Sequence, residues 1–284
     1  MESFEYHRPQ SLAEAWALKR ERPDARFIAG GTDVMVRMRE GKIRPPALIS
    51  LRGLRQLSYI EVGSPTRIGA LTPVADVLAH AGMREAHPVF ARAARRLGST
   101  QIRNAATVGG NLCNASPCAD MATPLLVHEA RLIIASPEGE RELPLEDFFV
   151  APGATRLGAD EIVTEIRFDP PPDDARAAFF KKGRVRMDIA LASLSVLIGV
   201  RNGRCGRARV AAGSVGPRPM RLPRTEAVLE GAVLSNEVIA EAGRTAAAEV
   251  QPITDVRATA GYRRHIIGVY VRRAVAEILS GVAS

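Results

Sequence analysis

Apolar and polar positions along the chain recur with periods that outline many short strands and helices. Ser11-Leu12-Ala13-Glu14 has the spacing of a capping box and predicts a helix over 11–21. Arg26-Phe27-Ile28 predicts a short strand running into Ala29-Gly30-Gly31-Thr32-Asp33, and 34–40 predicts a helix that stops at Gly41. Pro45-Pro46 punctuates before a buried strand over 47–51. Strands are expected over 59–62 and 67–70, a helix opening at Thr72-Pro73, and another over 88–97 that ends at Gly98.

After a loop, Thr107-Val108-Gly109-Gly110-Asn111, the pattern predicts a short helix over 121–129. A hairpin of 130–135 with 139–143 follows, turning through Pro137-Glu138-Gly139. Ile162, Thr164, Ile166 and Phe168 place one apolar stripe along a further strand. Pro170-Pro171-Pro172-Asp173-Asp174 is the clearest linker and divides 1–172 from 173–284. Beyond it, 187–200 and 207–215 flank Arg201-Asn202-Gly203-Arg204 as a second hairpin. Three helical stretches come last, and in the final one, 261–279, Tyr262, Ile266, Val269, Tyr270, Arg273 and Ala274 are spaced as a core-facing stripe.

A chain of 284 residues with 46% hydrophobic and 25% charged residues has the composition of one large or two ordinary globular domains. The longest apolar run, 189–200, is too short for the roughly 20 residues a membrane span needs. The early acids Glu2 and Glu5 argue against a secretion signal, so a cytoplasmic protein is expected. Three cysteines, Cys113, Cys118 and Cys205, suit reduced thiols. They are too few for an all-cysteine iron-sulfur cluster and lack zinc-type spacing, so any electron traffic here needs an organic cofactor.

The net charge of +8 lies wholly in the C-terminal third: residues 1–172 carry 21 basic and 21 acidic side chains, residues 173–284 carry 18 and 10. That excess suits either a solvated surface or an acidic partner surface. Aromatic residues at 5% and dispersed arginines give no nucleic-acid signature.

Two glycine segments are the candidates for chemistry, Ala29-Gly30-Gly31-Thr32-Asp33 and Thr107-Val108-Gly109-Gly110-Asn111. Glycine lets a backbone approach an anion, successive N–H groups converge on its oxygens, and Thr or Asn adds a directed donor, so the two together could cradle a diphosphate. A tight turn is the alternative for either one alone. The dinucleotide, P-loop, nucleophile-elbow and zinc-helix motifs are all missing, and the five histidines are scattered.

Phe27-Ile28-Ala29-Gly30-Gly31-Thr32-Asp33, Ile102-Arg103-Asn104 leading to Thr107-Val108-Gly109-Gly110-Asn111, and the tail Tyr262-Arg263-Arg264-His265 through Val271-Arg272-Arg273-Ala274 resemble the FAD-binding medium subunit of molybdenum hydroxylases. The resemblance spans essentially the whole chain. It implies an α+β protein: a two-lobed FAD-binding domain of the vanillyl-alcohol-oxidase (PCMH) type over 1–172, then a C-terminal domain, 173–284, with a small antiparallel sheet and helices.

Position by position, it implies that Phe27, Ile28, Ala29, Gly30, Gly31, Thr32 and Asp33, with Thr107, Gly109, Gly110 and Asn111, wrap the FAD diphosphate and ribityl chain. Asp120 would hold a polar part of FAD, although an acid just before a helix over 121–129 also suits that position. Lys181 or Lys182 would reach the flavin or a phosphate oxygen, and Ile189 would pack near the ring. The resemblance further implies an oxidoreductase subunit with no catalytic side chain and no metal of its own. It would pass electrons from the [2Fe-2S] clusters of a small subunit, beside a molybdopterin-binding large subunit, to NAD, quinone or oxygen. Two other readings stay open: a free-standing FAD-dependent reductase or oxidase, and a noncatalytic scaffold that has lost FAD.

Overall fold

The computed structural model describes residues 2–281. The N-terminal fifth forms a parallel three-stranded sheet in the order β1 (Glu5–His7), β3 (Ala47–Ser50), β2 (Arg26–Ile28). Helix α1 (Leu12–Glu21) starts at Ser11, whose side chain accepts the Glu14 N–H while Glu14 returns a bond to the Gln10 N–H. Helix α2 (Val34–Arg39) lies on the other side of β2, against a small cluster of Ile28, Met38 and Leu48. Only the central strand, β3, is buried throughout, while the edge strands β1 and β2 keep exposed positions.

Strands β4 (Ile60–Glu61) and β5 (Thr66–Gly69) start a second, antiparallel sheet. Small helices follow: α3 (Val74–Ala79), α4 (Ala81–Ala86), α5 (Pro88–Arg96), α6 (Thr100–Ala105), α7 (Val108–Cys113) and α8 (Ala122–Val127). The hairpin β6 (Arg131–Ser136) and β7 (Gly139–Pro144) and strand β10 (Ile162–Phe168) complete it in the order β4-β5-β10-β6-β7; between β7 and β10 come helix α9 (Leu145–Phe148) and a separate two-stranded ladder, β8 (Phe149–Ala151) with β9 (Ala154–Thr155). The largest core cluster lies between this sheet and the helices, around Phe90, Leu112, Met121 and Leu125.

A bulge at Thr164 shifts the pairing of β10 with β6, so the inward stripe runs Val163, Ile166, Phe168 and not through Ile162 and Thr164 as alternation alone predicted. Ile162 turns instead into the N-terminal core.

The third sheet is antiparallel: β11 (Ala175–Lys182), β12 (Ala192–Arg201), β13 (Arg204–Gly213) and β14 (Met220–Arg221). The turn of β12 into β13 is Asn202-Gly203, with φ of 51° and 73°, the conformation a two-residue hairpin turn requires. One face of this sheet carries Phe179, Leu197 and Ala211 into the main core. The other is covered by α10 (Pro223–Leu229), α11 (Asn236–Glu249) and α12 (Ala260–Leu279). Burial on both faces explains why β12 reads as an apolar run interrupted only by Ser193, Ser195 and Gly199 before its end at Arg201. The strand begins at Ala192, five residues later than the expected 187, because 183–191 is a loop.

Helix α12 buries Tyr270 and Ala274 of the predicted stripe, with Ile266 packed at its edge, but centres its inward face elsewhere. Arg263, Ile267, Gly268, Tyr270, Val271, Ala274 and Val275 are buried, whereas Tyr262 is 40% exposed and Arg273 lies outside. The cause is a close crossing with α11: a Cβ on Gly268 would sit 2.7 Å from the Gly243 carbonyl oxygen, so this glycine pair fixes which side faces in. Among the described residues no helix is long and apolar enough to cross a membrane.

Candidate functional site

A cleft of about 1160 Å³ opens between the parallel sheet, the α6–α7 segment and the start of the third sheet. Its size is just above the roughly 300–1,000 Å³ of ordinary small-molecule sites. Phe27, Ile28, Ala29, Gly30, Gly31, Thr32 and Asp33 line it from one side, Thr107, Gly109, Gly110 and Asn111 from another, with Asp120, Lys181 and Ile189 at the remaining edge.

The glycines serve first to bring these walls together. A Cβ on Gly30 would lie 1.9 Å from the Ala105 carbonyl oxygen, so the first segment is pressed directly against the residues that precede Thr107. On Gly109 a Cβ would lie 2.7 Å from both the Cβ and the oxygen of Ala70, at the end of β5. Gly31, with φ of 75°, makes the turn from β2 into α2.

The second segment is not the loop expected from its glycines but the first turn of α7. Thr107 is the N-cap, and its hydroxyl accepts the Gly110 N–H at 3.0 Å. The other N–H groups are also occupied: Val108 donates to Thr72 O, Gly109 to Ala70 O and Asn111 to Thr107 O. The side chain of Asn111 accepts the Met121 N–H at 3.2 Å through Oδ1, which leaves its amide NH2 as a donor toward the cleft. In the first segment the situation is reversed. The N–H groups of Gly30, Gly31, Thr32 and Asp33 find no acceptor among the described residues. The two segments therefore differ chemically: one offers free backbone donors, the other side-chain donors held by a braced backbone.

A buried ion pair closes the third edge. Lys181 Nζ lies 2.6 Å from Asp120 Oδ2 and also donates to Arg96 O at 2.9 Å. Asp120 does not cap α8. Its second oxygen, Oδ1, is buried with no partner, and burial pushes the carboxyl up to about 6 against the opposing pull of Lys181 and Arg96. Lys182 is the exception among the expected residues. Successive side chains of β11 point to opposite faces, so Lys181 enters the cleft and Lys182 is exposed on the far side.

Sequence reasoning missed several wall residues. Met187 and Asp188 join Ile189 on the rim, where Asp188 holds Arg184 at 2.6 Å and accepts the Ile189 N–H at 2.9 Å. Ile189 was expected at the cofactor, and Met187 and Asp188 directly precede it in sequence, so a signal was present. Arg96, behind the wall, braces Lys181 from both ends: its carbonyl accepts from Lys181 Nζ at 2.9 Å and its Nη2 donates to Lys181 O at 3.0 Å. Cys113 and Cys118 also line the cleft, and burial pushes the Cys113 thiol up to about 12, so it stays protonated.

Residues 2–171 match the family of FAD-binding domains in molybdopterin dehydrogenase, and residues 177–278 match the CO dehydrogenase flavoprotein C-terminal domain. The chain is 32% identical over 280 residues to the xanthine dehydrogenase FAD-binding subunit of Escherichia coli O157:H7, covering 97% of this chain and 96% of that one. It is 30% identical over 274 residues to the carbon monoxide dehydrogenase medium chain of Hydrogenophaga pseudoflava, covering 96% of each. Among solved structures it is similar to carbon monoxide dehydrogenase from the same organism, in a form lacking the Mo-pyranopterin moiety of its molybdenum cofactor. The TM-score is 0.95 at 30% identity, with 98% of each chain covered.

Proposed function

Because the chain belongs to the family of FAD-binding medium subunits of molybdenum hydroxylases, we propose that it holds FAD in this cleft and is the electron exit of a larger oxidoreductase. It would receive electrons from [2Fe-2S] clusters on a small subunit, beside a molybdopterin-binding large subunit, and deliver them to NAD, quinone or oxygen. Bound flavin supplies the conversion between one-electron and two-electron transfer.

The residues present fit such a group, and one observation carries the reading: a run of unpartnered N–H groups and an unpartnered buried carboxylate oxygen face the same large cleft. Gly30, Gly31, Thr32 and Asp33 would donate their N–H groups to the diphosphate. Thr107 and Asn111 would add side-chain donors. Asp120 Oδ1 would accept from a polar N–H or O–H of the cofactor, and Lys181 would balance the negative charge there. Ile189 would pack on an apolar surface. None of these tasks requires a catalytic acid or base.

On this reading the FAD-binding unit is the two-lobed PCMH type and ends at residue 172, in the proline linker, and the complex works in the cytoplasm. The test is expression of the chain with its partner subunits and alone. The expected results are a yellow complex containing all three chains and stoichiometric FAD uptake by the chain itself. A chain that stays colourless after incubation with FAD would overturn the proposal in favour of a scaffold; full turnover without partners would favour a free-standing flavoprotein.

A further inference from the structure

Tyr262-Arg263-Arg264-His265 is a motif that the sequence singles out, yet none of these side chains lines the cleft. Arg263 is nevertheless only 3% exposed, and a guanidinium is rarely buried unless it is held on several sides. Its Nη1 donates to Leu191 O at 2.6 Å and to Ser214 O at 3.1 Å, and its Nη2 donates to Asp255 Oδ1 at 2.7 Å. Asp255 balances the charge and is itself pinned by the N–H groups of Arg257 and Ala258.

Each of the two carbonyls leads to one member of the cleft ion pair. The Leu191 N–H donates to Lys182 O at 2.7 Å, closing the loop between β11 and β12 directly beside Lys181. The Ser214 N–H donates to Pro117 O at 2.7 Å, in the turn that runs into Asp120. Cys118 Sγ, 3.6 Å from Ala190 O, ties that turn to the same loop. A guanidinium offers five N–H donors in a fixed plane and remains charged at any working pH. Here Nη1 takes both carbonyls while Nη2 takes Asp255, so one rigid plane fixes the two carbonyls relative to the carboxylate that balances its charge.

We propose that Arg263 is a positioning residue: through the carbonyls of Leu191 and Ser214 it sets where Lys181 and Asp120 stand relative to each other, without entering the cleft. Its consequence for the cofactor rests on the reading of that cleft as the FAD site. The experiment compares Arg263→Met and Arg263→Lys with the parent chain in FAD titrations, flavin reduction potential and amide exchange of the cofactor-free protein.

Arg263→Met should weaken FAD binding on the order of tenfold, the size of one lost charge-assisted hydrogen bond, and shift the potential; Arg263→Lys should recover part of both. Combined with Lys181→Met it should add little beyond Lys181→Met alone, since the arginine acts through that pair. Without cofactor, exchange at Leu191 and Ser214 should quicken while Val196 in β12 stays protected. Unchanged affinity and potential with only lower thermal stability, full additivity with Lys181→Met, or unaltered exchange at both amides would each overturn the proposal. A parent chain that binds no FAD would instead sink the cofactor reading, and the exchange comparison would still decide whether the clamp exists.

Discussion

Replacing Lys181 with methionine removes a charge while nearly keeping the side-chain volume, so its effect isolates the electrostatics of the buried pair. The ammonium lies 2.6 Å from Asp120 Oδ2, and the two side chains are 2% and 8% exposed. Since Asp120 Oδ1 already lacks a partner, the substitution would strand both carboxylate oxygens. Breaking a buried ion pair in this way costs about 3–5 kcal/mol. The carboxyl can escape part of that cost by taking up a proton. Burial already raises its pKa to about 6, and without the lysine burial is opposed by Arg96 alone, so it rises further.

A carboxyl whose folded pKa exceeds its unfolded value contributes stability that is fully present below the unfolded pKa, 3.8 here, and lost as the pH rises through the folded one. The deficit of Lys181→Met relative to the parent should therefore grow from about pH 5 to about pH 8. The expected growth is about 2 kcal/mol, the gap between stranding a charge and burying a neutral carboxyl at about 1–3 kcal/mol. Urea unfolding at the two pH values measures it. Adding Asp120→Asn should recover most of the loss at the higher pH. A deficit equal at both pH values, or untouched by Asp120→Asn, would refute the electrostatic account.

Charge reversal at Lys182 should leave FAD affinity within about twofold of the parent, whereas reversal at Lys181 should abolish retention; equilibrium dialysis with FAD separates the two. Gly30→Ala should lose at least about 3 kcal/mol of stability and lower the melting temperature, because its Cβ would collide with the Ala105 backbone; an unchanged melting curve would contradict the close approach of the two walls. His87 and His128 sit in one buried cluster with Phe90 and Phe168, and burial holds both rings down to about 4. Their stabilising contribution is present above the unfolded 6.5 and lost as the pH falls toward 4, at about 2 kcal/mol per ring by pH 5. Asp120 opposes this slope, so replacing Asp120 with asparagine should steepen the acid-side loss in denaturant titrations.

The glycine replacement also shows where reading from sequence stops. A bulky residue at Gly30 looks, from the motif, like a block to a ligand; in the folded protein it first meets the carbonyl of Ala105, a contact made across 75 residues of chain. Likewise the basic excess of the C-terminal third is partly spent inside the fold, since Arg207, Arg209 and Arg221 all pair with Glu129.

Local order was legible in the sequence wherever the physics is local. The Ser11 cap, the strand into the first glycine segment, the Asn202-Gly203 turn and the apolar run of β12 all depend on side-chain period, φ preference or nearby hydrogen bonds. Membership of the flavin-binding family was legible too, because three motifs recur in order. Only the tertiary structure decided which of two adjacent lysines faces the cleft, which side of α12 is buried, and which glycine segment keeps its N–H groups free. Those outcomes depend on partners far away in the chain: Asp120 for Lys181, Gly243 for Gly268, Ala70 and Thr72 for the turn at Thr107. No window of neighbouring residues contains them, since a hydrogen-bond acceptor or a close backbone contact exists only once folding has brought it there.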